Sequence, residues 1–227
     1  MLSAFPAGLE TLAGRTVASV AAQGKHLLIG FDDGRVLHSH LGMHGRWRVA
    51  APGARGAVVL EVDGLAAVLT GSHKAELRRS RDLDLKLGPD ILAAGFDLDE
   101  VLRRARRSGR VELGELLLDQ RVCAGIGNIW KCESLWRLRL SPWQHLATTD
   151  DETLRRLYGQ ARELMQASVA GRRPQIGVHD RARRPCPRCS TPIQAERQGG
   201  ERWRWTYWCP SCQLAGRGSG SPPGIDV

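Results

Sequence analysis

Residues Leu113 to Pro142 read LGELLLDQRVCAGIGNIWKCESLWRLRLSP. Leu113, Leu116 and Leu117 fall at i, i+3 and i+4, one apolar stripe of an amphipathic helix. Ala124-Gly125-Ile126-Gly127-Asn128 then breaks the period. Its two glycines accept backbone angles closed to other residues and let another backbone come close. Asn128 stands where a second helix begins, a favoured capping position. The stretch therefore predicts a helix, a tight turn and a second helix. The free N–H groups of that second helix, with its dipole behind them, suit an anion such as a phosphate. An ordinary helical hairpin packed in a core fits the same spacing.

Around this stretch the chain changes character. Residues 1–97 carry 11 Lys+Arg against 10 Asp+Glu, whereas residues 98–216 carry 21 against 13, so the net charge of +9 belongs almost wholly to the second half. Concentrated positive charge points to a polyanion such as nucleic acid; a solvated basic surface is the alternative. The 227 residues and 42% hydrophobic content allow real cores, in one large domain or two smaller ones with a module. No run of about 18 apolar residues occurs, so no membrane span is expected. The start, MLSAFPAGLE, lacks a basic residue followed by a long apolar stretch, so it is not read as a secretory signal and a cytoplasmic protein is expected.

Upstream, Val17–Val20, His26–Phe31, Val36–Leu41, Trp47–Val49, Val58–Val62 and Leu65–Leu69 are short apolar or β-branched runs. Asp32-Asp33-Gly34 and Asp63-Gly64 join them as hairpin turns. They predict an antiparallel sandwich or partly closed barrel, ending near the Gly88-Pro89-Asp90 turn. From Asp97 the period is helical. Asp97 with Glu100, and Thr149 with Glu152, resemble capping boxes. Arg103, Arg104, Arg106 and Arg107 fill one face of the first of these helices. The organisation expected is a β-sandwich domain over 1–96, a helical domain over 97–179, a four-cysteine finger over 180–216 and a disordered tail over 217–227.

Cys186-x2-Cys189 and Cys209-x2-Cys212 are separated by 19 residues. Two such pairs are the four-thiolate zinc pattern, and four sulfurs leave no open coordination position, so one structural Zn2+ is expected. Between them, Arg202-Trp203-Arg204-Trp205-Thr206-Tyr207-Trp208 reads as a hairpin strand whose arginines suit phosphates. Cys123 and Cys132 read as buried thiols. His38 and His40 share one strand face and could ligate a metal, though no third ligand is placed nearby. Met43, an apolar side chain in the Gly-flanked loop His40–Gly45, is a core lid or a wedge that fills the gap left by an extruded base.

Together these residues resemble the formamidopyrimidine-DNA glycosylase/endonuclease VIII family of base-excision repair, and within it an endonuclease VIII-like actinobacterial branch. GKHLLI (24–29) is similar to the family's Lys-bearing hairpin, HSHLGMHG (38–45) to its wedge loop, LLDQRVCAGIGNIWKCESLWRLRLSP (117–142) to its helix–two-turn–helix, and CPRCSTPIQ with RWTYWCPSCQ to its zinc β-hairpin finger. The resemblance implies an α+β multidomain fold: a β-sandwich, incomplete here, a helical domain with the helix–two-turn–helix, and the finger, with DNA in a cleft. It implies that Lys25 contacts phosphate and assists β-elimination, that Asn128 binds a phosphate at the lesion, that Arg204 grips phosphate and serves δ-elimination, and that Met43 fills the void. The implied partner is double-stranded DNA bearing a damaged base or abasic site, bound by a monomer.

The family's chains begin Met-Pro-Glu-Gly, and the Pro amine attacks the sugar. This chain begins Met1-Leu2-Ser3-Ala4-Phe5, and its first residues align with the family's interior. Two functions follow as expectations. One is a bifunctional DNA glycosylase/AP lyase whose Pro-Glu segment lies outside these residues; the other is a lesion-DNA binder without chemistry. His179-Asp180-Arg181 also departs from the family's Tyr-Gly-Arg.

Overall fold

The computed structural model describes residues 8–42, 44–72, 74–201 and 203–214. Met43, Arg202 and the tail 217–227 lie outside the described residues. The chain divides into two compact units, one through Lys86 and one from Leu87.

The first unit is a pair of antiparallel sheets. Strands β1 (Val17–Gln23), β2 (His26–Phe31), β3 (Arg35–His40) and β7 (Lys74–Arg79) form one in that order; β4 (Arg46–Ala50), β6 (Leu65–Thr70) and β5 (Val58–Val62) form the other. Alternate residues from both point into one core of Leu12, Ile29, Phe31, Leu37, Val58 and Leu69. The predicted turns close as expected. Asp63 and Gly64 both have positive φ, 50° and 76°, which a two-residue hairpin turn demands. At the other turn Asp33 accepts from the backbone N–H of Arg35 at 3.1 Å. Strand β7 was not foreseen, because its sequence KAELRR carries four charges on a half-exposed strand and lacks an apolar alternation.

The second unit is helical with a terminal hairpin. Helices α1 (Leu98–Arg107), α2 (Leu113–Leu116), α3 (Asn128–Arg137) and α4 (Asp151–Val169) pack around Leu102, Leu113, Leu117, Ile126, Leu135, Leu157 and Tyr158. Residues 87–96 pack with this unit: Gly88 N–H donates to Gln120 O at 2.8 Å, and Ile91 is fully buried in the helical core. The expected boundary at residue 96 thus falls inside it. Asp97 caps α1 by accepting from the Glu100 N–H at 2.9 Å. For α4 the cap is Asp150, accepting from Thr153 N–H at 2.7 Å, rather than Thr149. Thr149 is buried, and its hydroxyl is engaged by His145 O and by Gln144. Asn128 is the first helical residue of α3 rather than its cap; Gly127 holds the capping position, with extended backbone. Strands β8 (Gln194–Gln198) and β9 (Arg204–Trp208) form the finger hairpin.

The arginine face of α1 is not an open basic surface. Glu100 gathers Arg103, Arg104 and Arg107, and Arg106 reaches Asp151 at 2.5 Å and the Leu146 and Thr149 carbonyls.

Candidate nucleic-acid interface

In the second unit, the corner before α3 is built by Gln120. Its side chain accepts from Gly125 N–H at 3.0 Å and donates to the carbonyls of Leu118 and Ile126. Gly125 has φ 108°, an angle that favours glycine, and a Cβ there would lie in a tight 3.1 Å contact with the Ile91 side chain. The corner aims the Asn128 side chain at the finger. Asn128 Nδ2 donates to the Trp205 carbonyl at 2.8 Å and lies 3.4 Å from His179 Nε2. Asn128 is thereby brought beside the strand that carries Arg204, across 77 residues of sequence. Arg204 itself is exposed, and its guanidinium donates to the Trp203 carbonyl at 3.0 Å.

Three buried polar groups bind helix and finger together, and the linear pattern did not reveal them. Lys131 is fully buried, and its Nζ donates to Thr206 Oγ1 at 2.6 Å. Thr206 donates on to Gln198 Oε1 at 2.8 Å, and Gln198 Nε2 donates to Glu112 Oε2 and the Pro142 carbonyl. Burial pushes the Lys131 ammonium below its ordinary pKa, and the nearby Arg204 charge adds to that. A cavity of about 300 Å³ adjoins this network, lined among others by Gly114, Leu118, Lys131 and Gly199. Glu133, also buried, accepts the backbone N–H groups of Gly177, Val178 and His179 at 2.8–2.9 Å. The available signal was phase: Lys131 lies four residues before buried Leu135 on the same helical stripe.

The four finger cysteines converge. Their sulfurs lie within 4.8 Å of one another, with separations of 3.9 Å for Cys186–Cys212, 3.4 Å for Cys189–Cys209 and 3.3 Å for Cys189–Cys212. A tetrahedron of 2.3 Å metal–sulfur bonds has edges of about 3.8 Å, so the set fits one ion. Backbone N–H groups of Arg188 and Cys212 point at Cys186 and Cys209 sulfurs, which favours thiolates. Arg188 also lays its guanidinium 4.4 Å from the centre of the Trp136 ring and donates to the Trp136 carbonyl, joining the finger to the end of α3.

In the first unit, Lys25 is exposed in the turn between β1 and β2, beside Gly24 with φ 58°. Behind it runs a hydrogen-bonded series over three strands. His26 Nδ1 lies 2.7 Å from His38 Nε2, and His38 Nδ1 lies 3.0 Å from Glu76 Oε1. Burial opposes ionisation of Glu76, but hydrogen bonds from Arg78, Lys74 and His38 outweigh it and hold its carboxyl at about 2. An ionised Glu76 only accepts, so His38 Nδ1 carries hydrogen and donates to it. Burial lowers the His26 pKa to about 4, with His40, His38, Lys25 and Lys74 adding to the effect, so His26 is neutral at pH 7. His26 is the nearby third histidine that the sequence did not place. Even so, among the described residues the four cysteines are the one group of three or more His, Cys, Asp or Glu placed to hold a metal ion. His38 is a hydrogen-bonding strut here.

Comparison with known proteins agrees with this layout. A family model described as the formamidopyrimidine-DNA glycosylase N-terminal domain matches residues 3–111, and one described as its H2TH domain matches residues 87–179. A probable endonuclease 8 2 of Streptomyces coelicolor is 38% identical over 222 residues, covering 89% of this chain and 80% of its own. The DNA-(apurinic or apyrimidinic site) lyase Nei2 of Mycolicibacterium smegmatis is 35% identical over 223 residues, covering 90% and 85%. A crystal structure of Lactococcus lactis formamidopyrimidine-DNA glycosylase, bound non-covalently to DNA containing an AP site, superposes with a TM-score of 0.75 at 23% identity, covering 89% of this chain and 83% of that one.

Proposed function

This chain belongs to the formamidopyrimidine-DNA glycosylase/endonuclease VIII family, and from that premise we propose that it is a bifunctional glycosylase/AP lyase, removing oxidised bases from double-stranded DNA and cutting the strand at abasic sites. The observation that carries this reading is the Asn128–Trp205 bond, which fixes the helix corner and the Arg204 strand side by side. An Asn amide nitrogen has two N–H donors, so one can hold Trp205 while the other meets a phosphate oxygen in place of the long His179 contact. Arg204 brings a permanent charge and a planar fork suited to the same phosphodiester. Lys25, exposed on its turn, supplies a point charge of the same kind. In β-elimination the C2′ proton leaves to a base, its electron pair forms a double bond between C2′ and C3′, and the C3′–O bond breaks as the 3′ phosphate departs. Cations on the phosphates stabilise the charge that grows on the leaving group. Met43 is assigned to the void left by the extruded base.

We assign Zn2+ to Cys186, Cys189, Cys209 and Cys212. Four thiolates close the coordination sphere, so the metal holds the finger's shape and takes no part in the reaction. A cytoplasmic monomer belongs to the same reading.

Borohydride trapping on abasic DNA, by a protein extended upstream to a Pro-Glu start, tests the enzyme. A covalent adduct supports the lyase. Preference for abasic over intact duplex with no adduct supports a lesion binder instead, and no preference overturns both. Asn128→Ala and Arg204→Ala should each weaken abasic-DNA binding by about 1–3 kcal/mol, the range for a hydrogen bond to a charged group. Unchanged binding by both variants would remove the assignment of these residues.

A further inference from the structure

Strand β9 alternates sides. Thr206 and Trp208 are buried, whereas Trp203, just before the strand, and Trp205 are 38% and 43% exposed. Their rings sit 5.9 Å apart at 80°. Arg197 of β8 lies directly opposite Trp205 in the hairpin register. Its guanidinium lies 4.3 Å from the centre of the Trp203 ring and 5.7 Å from that of Trp205. The protein thus keeps two indoles partly in water and mounts a cation on them. An apolar protein partner would have to bury Arg197. A nucleotide matches both parts, with a base for an indole face and a phosphate for the arginine.

Charge and position favour the nucleotide. Residues 181–213 contain seven Arg and two Glu, with no Lys or Asp. The patch also continues the interface already described, since the Trp205 backbone is the group that Asn128 holds and Arg204 lies between the two indoles in sequence. Bases inside a duplex already stack on their neighbours, so an indole on the finger can take only a base that is out of the helix.

We propose that Trp203, Trp205 and Arg197 form a stacking platform for an unpaired nucleobase, so that the finger favours DNA whose strand is open near the lesion. The proposal rests on the DNA reading above.

The test uses the full chain and fluorescence anisotropy on a duplex with a tetrahydrofuran abasic analogue. The duplex is either fully paired or carries a short unpaired thymidine tract on one side or the other of the lesion. Wild type should bind one tract-bearing duplex about tenfold more tightly, within the range for stacking one base on an aromatic residue. Its tryptophan fluorescence should be quenched by that duplex and not by the paired one. Trp203→Ala should lose the increment while keeping the paired affinity, and Trp203→Phe should recover most of it. A tract of abasic units, with the same phosphates and no bases, should give no increment. The platform is overturned by an absent increment in wild type, by an equal increment from the abasic tract, or by variants that lose both duplexes alike. If wild type binds neither duplex, the DNA reading itself fails.

Discussion

Replacing Glu133 by Gln tests the joint between α3 and the segment leading to the finger. In the wild type Oε1 accepts the Val178 and His179 N–H groups at 2.9 Å each, and Oε2 accepts Gly177 N–H at 2.8 Å. Gln retains one acceptor and turns an NH2 group toward a backbone donor. Orphaning one buried N–H costs about 1–3 kcal/mol, and the two surviving bonds lose their charge assistance, roughly half their strength. Against this, a neutral amide is less costly to bury than a carboxylate. The first two effects win, because Glu133 is 1% exposed and all three donors are backbone groups that cannot turn to water without moving the chain. The expected loss is about 2–3 kcal/mol. Urea unfolding should show it as a lower midpoint at unchanged slope. Hydrogen exchange should show faster exchange at residues 177–179. Glu152→Gln, exposed in the first turn of α4, serves as the control and should change little. An unchanged midpoint with residues 177–179 still protected would refute the claim that this carboxylate holds the segment.

Three further outcomes are expected. His26 has its folded pKa depressed to about 4 from 6.5, so the unfolded chain takes up the proton first as pH falls. Stability should therefore be full above pH 6.5 and decline between 6.5 and 4, by about 1 kcal/mol once solvent screening of this half-exposed ring is allowed for. A thermal-melt series in wild type and His26→Gln checks this, and the same slope in both would contradict it. In Gly177→Ala the new Cβ would lie 2.4 Å from the Trp136 ring, so the helix–finger joint must open, at a cost of about 1–3 kcal/mol in urea unfolding. A variant as stable as wild type would show that the ring moves aside freely. Chelation should expose the four finger cysteines to a thiol reagent and melt the hairpin, since metal binding provides on the order of 10 kcal/mol to so small a module. Cys123, whose thiol burial pushes up to about 12, should stay unreactive while the helical core is folded. Equal reactivity of the finger thiols before and after chelation would argue against a bound metal.

The local chemistry of this chain was legible in advance. The Asp97 cap, the Asp63-Gly64 turn and the two Cys-x2-Cys pairs each place cooperating atoms within a few residues of one another. A cap or turn closes on its own backbone, whatever the rest of the chain does. Where two local solutions compete, the spacing alone misleads. Asp150 displaces Thr149 as the α4 cap because Thr149 is drawn into bonds with His145 and Gln144. Asn128 yields its cap to Gly127 because its side chain is needed at Trp205.

Composition was a poorer guide than spacing. The four arginines on α1 promised a basic face, but Glu100, one turn away on the same helix, and Asp151 of α4 neutralise much of it. The same holds for the groups that assemble the candidate interface. Lys131 and Thr206 are 75 residues apart, and Asn128 and Trp205 are 77 apart. His26, His38 and Glu76 come from three different strands. In sequence, a lysine on a helix or a glutamate on a strand looks like a solvated surface residue, because the cost of burying it is visible only once its partners are known. The sequence by itself determined the two families of elements, their hairpin turns and the two Cys-x2-Cys pairs, since those depend on interactions over a few residues. The tertiary structure decided which polar side chains are buried and what they hold, since a buried charge is stable only where distant parts of the chain converge to satisfy it.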